Sequence, residues 1–211
     1  MATVSPTITA ENPHVYREQI ERIEGFADTV HIDLMDGEFT TNTSVSPSQV
    51  WWPDTLKASV HLMYKDPARA IQALLPQKPF CIFVAASTTG IKHEQLAKAC
   101  HEAGVQFGVV LYQDDTVDVI KSYIDSLDAV LVFSGNLGYQ GGSMADVALL
   151  PKIEEVKALQ PGVRIEWDGG VNEENIGQLT QAGIDVCNVG GSIHFADDPA
   201  AAYQRLVSLA Q

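Results

Sequence analysis

The stretch VHIDLMDGEF, residues 30–39, sets His31, Asp33 and Met35 at every second position of an otherwise apolar run. In an extended chain these residues share one face, with Val30, Ile32 and Leu34 on the other. SVHLM repeats the pattern with His61 and Met63, and RIEWDGG ends on Asp168 with Glu166 two residues earlier on the same face. A single strand histidine is most often a core imidazole bonded to a backbone carbonyl. Four converging polar groups are another matter: an ionised carboxylate is costly to bury, so two that face each other need a cation, a shared proton or both. The mixed nitrogen and oxygen set of His31, Asp33, His61 and Asp168 suits one divalent ion of zinc, iron, manganese or cobalt better than calcium. The residues therefore predict a metal centre, against the alternative of a hydrogen-bonded polar core.

A second chemistry is written in glycine. GYQGGS, DGGV and VGGS each follow an apolar run late in the chain. Any one of them alone reads as an ordinary turn. Three neighbouring loops together predict a phosphate site, with the backbones of Gly141, Gly142, Gly170, Gly191 and Ser192 as donors and Ser143 and Gly169 beside them.

Such groups need a scaffold that brings strand ends together. Eight short apolar runs, TVSPTIT, DTVHIDLM, LKASVHLM, FCIFVAA, VQFGVVLY, DAVLVFSG, VRIEWD and IDVCNVGG, alternate with amphipathic stretches from end to end. Helices are expected over HVYREQIERIEGF, DPARAIQALL, KHEQLAKACHEAG, DTVDVIKSYIDSL, VALLPKIEEVKALQ, NEENIGQLTQAG and DPAAAYQRLVSLA. The link after the second strand, EFTTNTSVSPSQVWWPD, offers only a short turn of helix. Val- and Ile-rich strands alternating with helices predict a parallel sheet, and eight units predict one α/β domain over residues 1–211, a (β/α)8 barrel. A doubly wound open sheet is the alternative, but TITAENPH lacks the glycine fingerprint that fold carries at its first turn. In a barrel the active site lies where strands end and loops begin, which is where His31, Asp33, His61 and Asp168 fall.

Composition narrows the partners. A formal charge of -14 repels a phosphate backbone or an anionic membrane surface, so neither nucleic acid nor membrane is expected. A small anion remains admissible, because a metal or aligned N–H groups can make a local positive pocket. Cys81, Cys100 and Cys187 lack metal-site spacing and read as reduced thiols. With no signal-peptide pattern at MATVSPTITAENP and no apolar run approaching the ~20 residues of a span, a cytoplasmic location is expected.

Taken in order, these motifs resemble the ribulose-phosphate 3-epimerase family over nearly the whole chain. The likeness rests on SPTITAEN, HIDLMDGEFTTN, VHLM, DAVLVFSGNLGYQGGSM, IEWDGGVNEENI and VGGSIHF. It implies a TIM barrel of the ribulose-phosphate-binding type that interconverts D-ribulose 5-phosphate and D-xylulose 5-phosphate with one divalent metal. It also implies a homo-oligomer and a ketose phosphate as the small-molecule partner. The family's metal ligands fall on His31, Asp33, His61 and Asp168, and its acid and base on Asp33 and Asp168. Its methionines fall on Met35 and Met63, with Phe133 in place of a third. Thr7 stands where a serine is usual and keeps the hydroxyl for the substrate.

The resemblance breaks around the substrate. Phe83 and Ala85 stand where the fourth strand usually carries histidine and glutamate, and Tyr112 and Gln113 where the fifth closes on asparagine and proline. The sixth loop has Leu137 for its usual proline and reorders Gln140, Gly141 and Gly142. Two alternatives follow from these changes: a 3-epimerase for another ketose phosphate, such as a ketohexose 6-phosphate, and a barrel that binds phosphosugar or metal without turnover. Phosphate-sugar decarboxylases resemble the chain less, since they carry a lysine between two aspartates on the second strand, where DLMDG has Leu34 and Met35. Of the remaining features, Trp51 and Trp52 are expected to pack rather than form an oligomer surface. His14, His93 and His101 are expected in solvent, and His194 is a lesser candidate for ligand contact.

Overall fold

The computed structural model describes residues 2–211. Eight strands, β1 (Thr3–Thr9), β2 (Thr29–Met35), β3 (Lys57–Met63), β4 (Cys81–Ala85), β5 (Gln106–Leu111), β6 (Ala129–Phe133), β7 (Arg164–Asp168) and β8 (Val186–Val189), pair in chain order and close on themselves as a TIM barrel. The parallel β1–β8 pairing makes the closure. Each strand lies within two residues of its expected ends. The outward side chains Val30, Ile32, Leu34, Val60, Leu62, Ile82 and Val84 are fully buried under the surrounding helices. Burying each such side chain contributes about 1.5–3 kcal/mol, and the alternation that achieves it turns the polar residues inward.

The helices are α1 (Pro13–Ile23), α2 (Ala68–Leu74), α3 (His93–Glu102), α4 (Pro151–Leu159), α5 (Ile176–Gln181), α6 (Gly191–His194) and α7 (Pro199–Leu209). Asn12 caps α1 by accepting from the His14 and Val15 N–H groups, with Pro13 as the first helical residue. Asp198 and Pro199 begin α7 in the same way. Two expectations are corrected. The segment between β5 and β6 forms two 3-10 turns, Val117–Ile120 and Ile124–Ser126, instead of an α-helix. Its β-branched Val117, Val119 and Ile120 lower helix propensity, and Thr116 supplies no side-chain cap. The link after β2 has a hydrogen-bonded turn at 47–49 and no helix, whereas the short α6 was not foreseen. Among the described residues no helix is long and apolar enough to cross a membrane.

The barrel interior has two unlike walls. Cys81, Phe83, Val110, Ala129, Leu131 and Phe133 of β4–β6 form an apolar cluster against Tyr112. Thr7, Asp33, His31, His61, Glu166, Asp168 and Asn188, from the other five strands, are buried polar residues. Phe83 fills the centre because its neighbour across the sheet is Gly108, where a Cβ would collide with the Phe83 ring. Glu166 faces inward as expected but belongs to a lower layer. It accepts from Arg164 Nε at 2.9 Å and from Asn188 Nδ2 at 3.1 Å, so it has its own cation.

Candidate functional site

Register brings the four predicted ligands together. Asp33 lies opposite His61 across the β2–β3 ladder, His31 enters two residues below Asp33 on the same face, and Asp168 ends β7. One ligand atom from each of His31, Asp33, His61 and Asp168 lies within 4.8 Å of the others. Asp33 Oδ1 is 3.0 Å from His61 Nδ1 and 3.6 Å from His31 Nε2, and Asp168 Oδ2 is 3.8 Å from His31 Nε2. All four residues are buried. Both ring nitrogens of His31 and Asp168 Oδ2 have no hydrogen-bond partner. Orphaned acceptors at such depth cost about 1–3 kcal/mol each, and a bound cation would satisfy the ones that face the cluster. The donor set thus fits a divalent metal.

The cation-free electrostatics divide the two aspartates. Burial pushes Asp33 up, but the hydrogen bond from His61, the His61 and His31 charges and a bond from Thr9 outweigh it and hold the carboxyl below its usual range. Asp168 has no such support: burial, then the Asp33 and Glu166 charges, push it well above the usual carboxylate range against one bond from the Gly169 N–H. Burial also pushes His31 down, towards the neutral imidazole a metal requires.

Above the cluster a cavity of about 350 Å³ is lined by Thr7, Asp33, Met63, Phe133 and Asp168 together with all the loop residues expected to take phosphate: Gly141, Gly142, Ser143, Gly169, Gly170, Gly191 and Ser192. Met35 instead lines an adjoining depression beside Thr9 and Gln19. The glycines also have a packing reason. Gly169 and Gly170 adopt φ of +112° and +69°, and a Cβ on either would collide with the backbone at Ser134–Gly135 and Met144–Ala145 respectively. Gly141 and Gly142 take left-handed φ of +73° and +74°. A larger open depression of about 890 Å³ over Tyr64, Arg69 and Thr88 contains none of the four ligands.

The sequence reading missed three supporting residues. Thr9 donates to Asp33 Oδ2 at 3.0 Å; its place two residues after Thr7 on β1 was the available signal. Tyr112 places its hydroxyl 3.0 Å from His61 Nε2. Gln140 bonds across the mouth, donating to the Thr7 carbonyl at 2.9 Å and accepting from Gln19 Nε2 at 3.1 Å.

The histidine expectations divide. His14 is exposed beside Glu18, and the half-exposed His101 meets Asp128 at 2.7 Å. His93 is not in solvent: it is buried, stacks on Tyr123 and bonds the Ala85 carbonyl at 3.0 Å. His194 ends the short α6 that begins at Gly191, yet it does not line the glycine-lined cavity and instead borders a depression on α1 beside Arg22. Neither of its ring nitrogens has a well-formed hydrogen bond. Burial pushes its pKa down to about 4 against a weak pull from the Thr7 backbone. The unfolded chain takes up this proton near pH 6.5, so stability held above that value is lost as pH falls towards 4. His194→Phe is expected to flatten this part of the stability curve in urea denaturation between about pH 7 and pH 4.5; an unchanged slope would place the sensitivity elsewhere.

The model of the ribulose-phosphate 3 epimerase family matches residues 3–195. The chain belongs to that family. A ribulose-phosphate 3-epimerase of Bacillus subtilis (strain 168) is 33% identical over 215 residues, with 98% of each chain covered. One of Helicobacter pylori (strain J99) is 31% identical, covering 99% of this chain and 98% of the relative. Among solved structures, 3-hexulose-6-phosphate synthase from Salmonella typhimurium superimposes with a TM-score of 0.77 at 16% identity, covering 99% of this chain and 98% of that one. KGPDC from Streptococcus mutans gives 0.78 at 14%, with 100% and 97% covered. These two share the fold. Phe83, Tyr112 and Phe133, read in the sequence as departures from the family's usual residues, gather in the apolar wall.

Proposed function

We propose that the chain is a metal-dependent ribulose-phosphate 3-epimerase that interconverts D-ribulose 5-phosphate and D-xylulose 5-phosphate. The observation that carries this reading is the buried cluster of His31, Asp33, His61 and Asp168 with its orphaned acceptors, at the floor of the glycine-lined cavity. A divalent ion held there supplies Lewis-acid polarisation, which makes the proton at C3 more acidic. The loops after β6, β7 and β8 hold the phosphate through backbone N–H groups, and Thr7, Met35 and Met63 border the sugar. One of Asp33 and Asp168 takes the C3 proton as base. The other delivers a proton from the opposite face. Their roles exchange in the reverse direction. A free aspartate near pKa 3.9 is a weak base for a carbon acid, so both the polarisation and the dry site are needed.

A second reading, epimerisation of another ketose phosphate such as a ketohexose 6-phosphate, is favoured by the apolar wall of Phe83 and Phe133 with Tyr112. Proton NMR in deuterated water with metal-assayed protein separates the two. Loss of the C3 proton of ribulose 5-phosphate with appearance of xylulose 5-phosphate is expected. A faster rate on a hexulose phosphate would transfer the assignment, and no exchange on any ketose phosphate would leave a barrel that only binds. We also read the protein as a cytoplasmic homo-oligomer, on its three free, buried cysteines and its family. Of the two tryptophans expected to pack, Trp52 does so on the core, whereas Trp51 is 39% exposed.

A further inference from the structure

We propose that the Tyr112 hydroxyl is the outer hydrogen-bond partner that orients His61 for metal binding. The inference rests on the metal centre proposed above. His61 is fully buried and meets one polar group at each ring nitrogen: Asp33 Oδ1 at Nδ1 and the Tyr112 hydroxyl at Nε2, each at 3.0 Å. Nδ1 is therefore the nitrogen that faces the cluster, and Nε2 faces the apolar wall, where the phenol oxygen sits.

Tyr112 is itself held on every side. Its N–H donates to Asp115 Oδ2 at 2.9 Å, and its carbonyl accepts from Lys152 Nζ at 2.7 Å. Its ring packs between Phe39 and Phe133, at centroid distances of 5.6 and 5.3 Å. A side chain anchored at its backbone and clamped at its ring presents its hydroxyl at one place.

A hydroxyl both donates and accepts, and the site needs both. Without a cation, His61 can give its Nδ1 proton to Asp33 and accept at Nε2 from the phenol. With Nδ1 turned to a cation, the proton must reside on Nε2, and the phenol oxygen accepts it. Loss of such an outer partner commonly costs 10–100-fold in metal affinity. The same ring thus occupies a position where the chain departs from its family's usual asparagine, and it supplies a bond directly behind a ligand.

The test is binding of Zn²⁺ to the full-length chain by chelator competition, for wild type and Tyr112→Phe, with melting of both metal-free proteins. The expected result is about 10–100-fold weaker Zn²⁺ binding by the variant, with its metal-free melting still cooperative and lowered only by the loss of one buried hydrogen bond. Equal affinity would overturn the inference and leave the metal centre standing. No Zn²⁺ binding by wild type would remove both. A measurement on wild type alone guards against a variant that fails to fold. ¹⁵N-resolved histidine spectra should show the His61 proton on Nδ1 without Zn²⁺ and on Nε2 with it. A proton that stays on Nδ1 in the loaded protein would overturn the inference.

Discussion

Asp33→Asn is expected to lower the rate of C3 exchange on ribulose 5-phosphate by about 10²–10⁴-fold, and Asp168→Asn by a similar factor. The two variants should nevertheless part company in stability. Asp33 is an ionised anchor, taking hydrogen bonds from Thr9 and His61; asparagine cannot accept both, so the metal-free chain should melt lower. Asp168 is the opposite case. Its folded pKa is raised, so the unfolded chain releases its proton above about pH 4 while the folded chain keeps it, and stability falls as pH rises through that interval. Asparagine is neutral and nearly isosteric, so metal-free Asp168→Asn should melt at or above wild type near neutral pH and lose that slope. Calorimetry in chelator alongside the deuterium assay checks both halves. A variant that keeps exchange at the wild-type rate would end the two-carboxylate reading.

Arg164→Met is the substitution with the largest expected effect on folding. Arg164 is four-fifths buried and Glu166 almost completely so; besides the ion pair, the guanidinium reaches Gln106 and lies 4.9 Å from the Phe80 ring centroid. Removing one partner strands a buried carboxylate, which costs about 3–5 kcal/mol, or roughly 10 °C in melting temperature for a chain of this size. The double variant Arg164→Met with Glu166→Leu should recover much of the loss, because the pair as a whole contributes little beyond what packing can replace. A thermal melt of Arg164→Met indistinguishable from wild type would show that Glu166 is neutralised by other means.

The eight strands and the four-residue cluster were legible because both are written in period two: His31 and Asp33, or Glu166 and Asp168, announce an inward face whatever the helices do. What the sequence hid is what depends on pairing across the barrel. Tyr112 touches His61 only because β3, β4 and β5 stand side by side, and nothing local in VVLYQDD says so. His93 reads as a solvent residue at a helix start, yet the helix lays it on Tyr123. The missing helix between β5 and β6 was a conflict between an amphipathic spacing and β-branched residues that favour other conformations, and the 3-10 turns are its resolution. Gly108 gives room to Phe83, a relation visible only once the two are opposite.

The two glycines after β7 meet the sixth loop at two joints, Gly169 against Ser134–Gly135 and Gly170 against Met144–Ala145. The stretch between the joints contains NLGYQGG, whose Tyr139, Gln140, Gly141 and Gly142 line the cavity. The joints act as a fixed socket and the intervening residues as an exchangeable insert. Substitutions within the insert can therefore reshape the cavity wall while the joints keep its ends where the barrel puts them, above the cluster of His31, Asp33, His61 and Asp168.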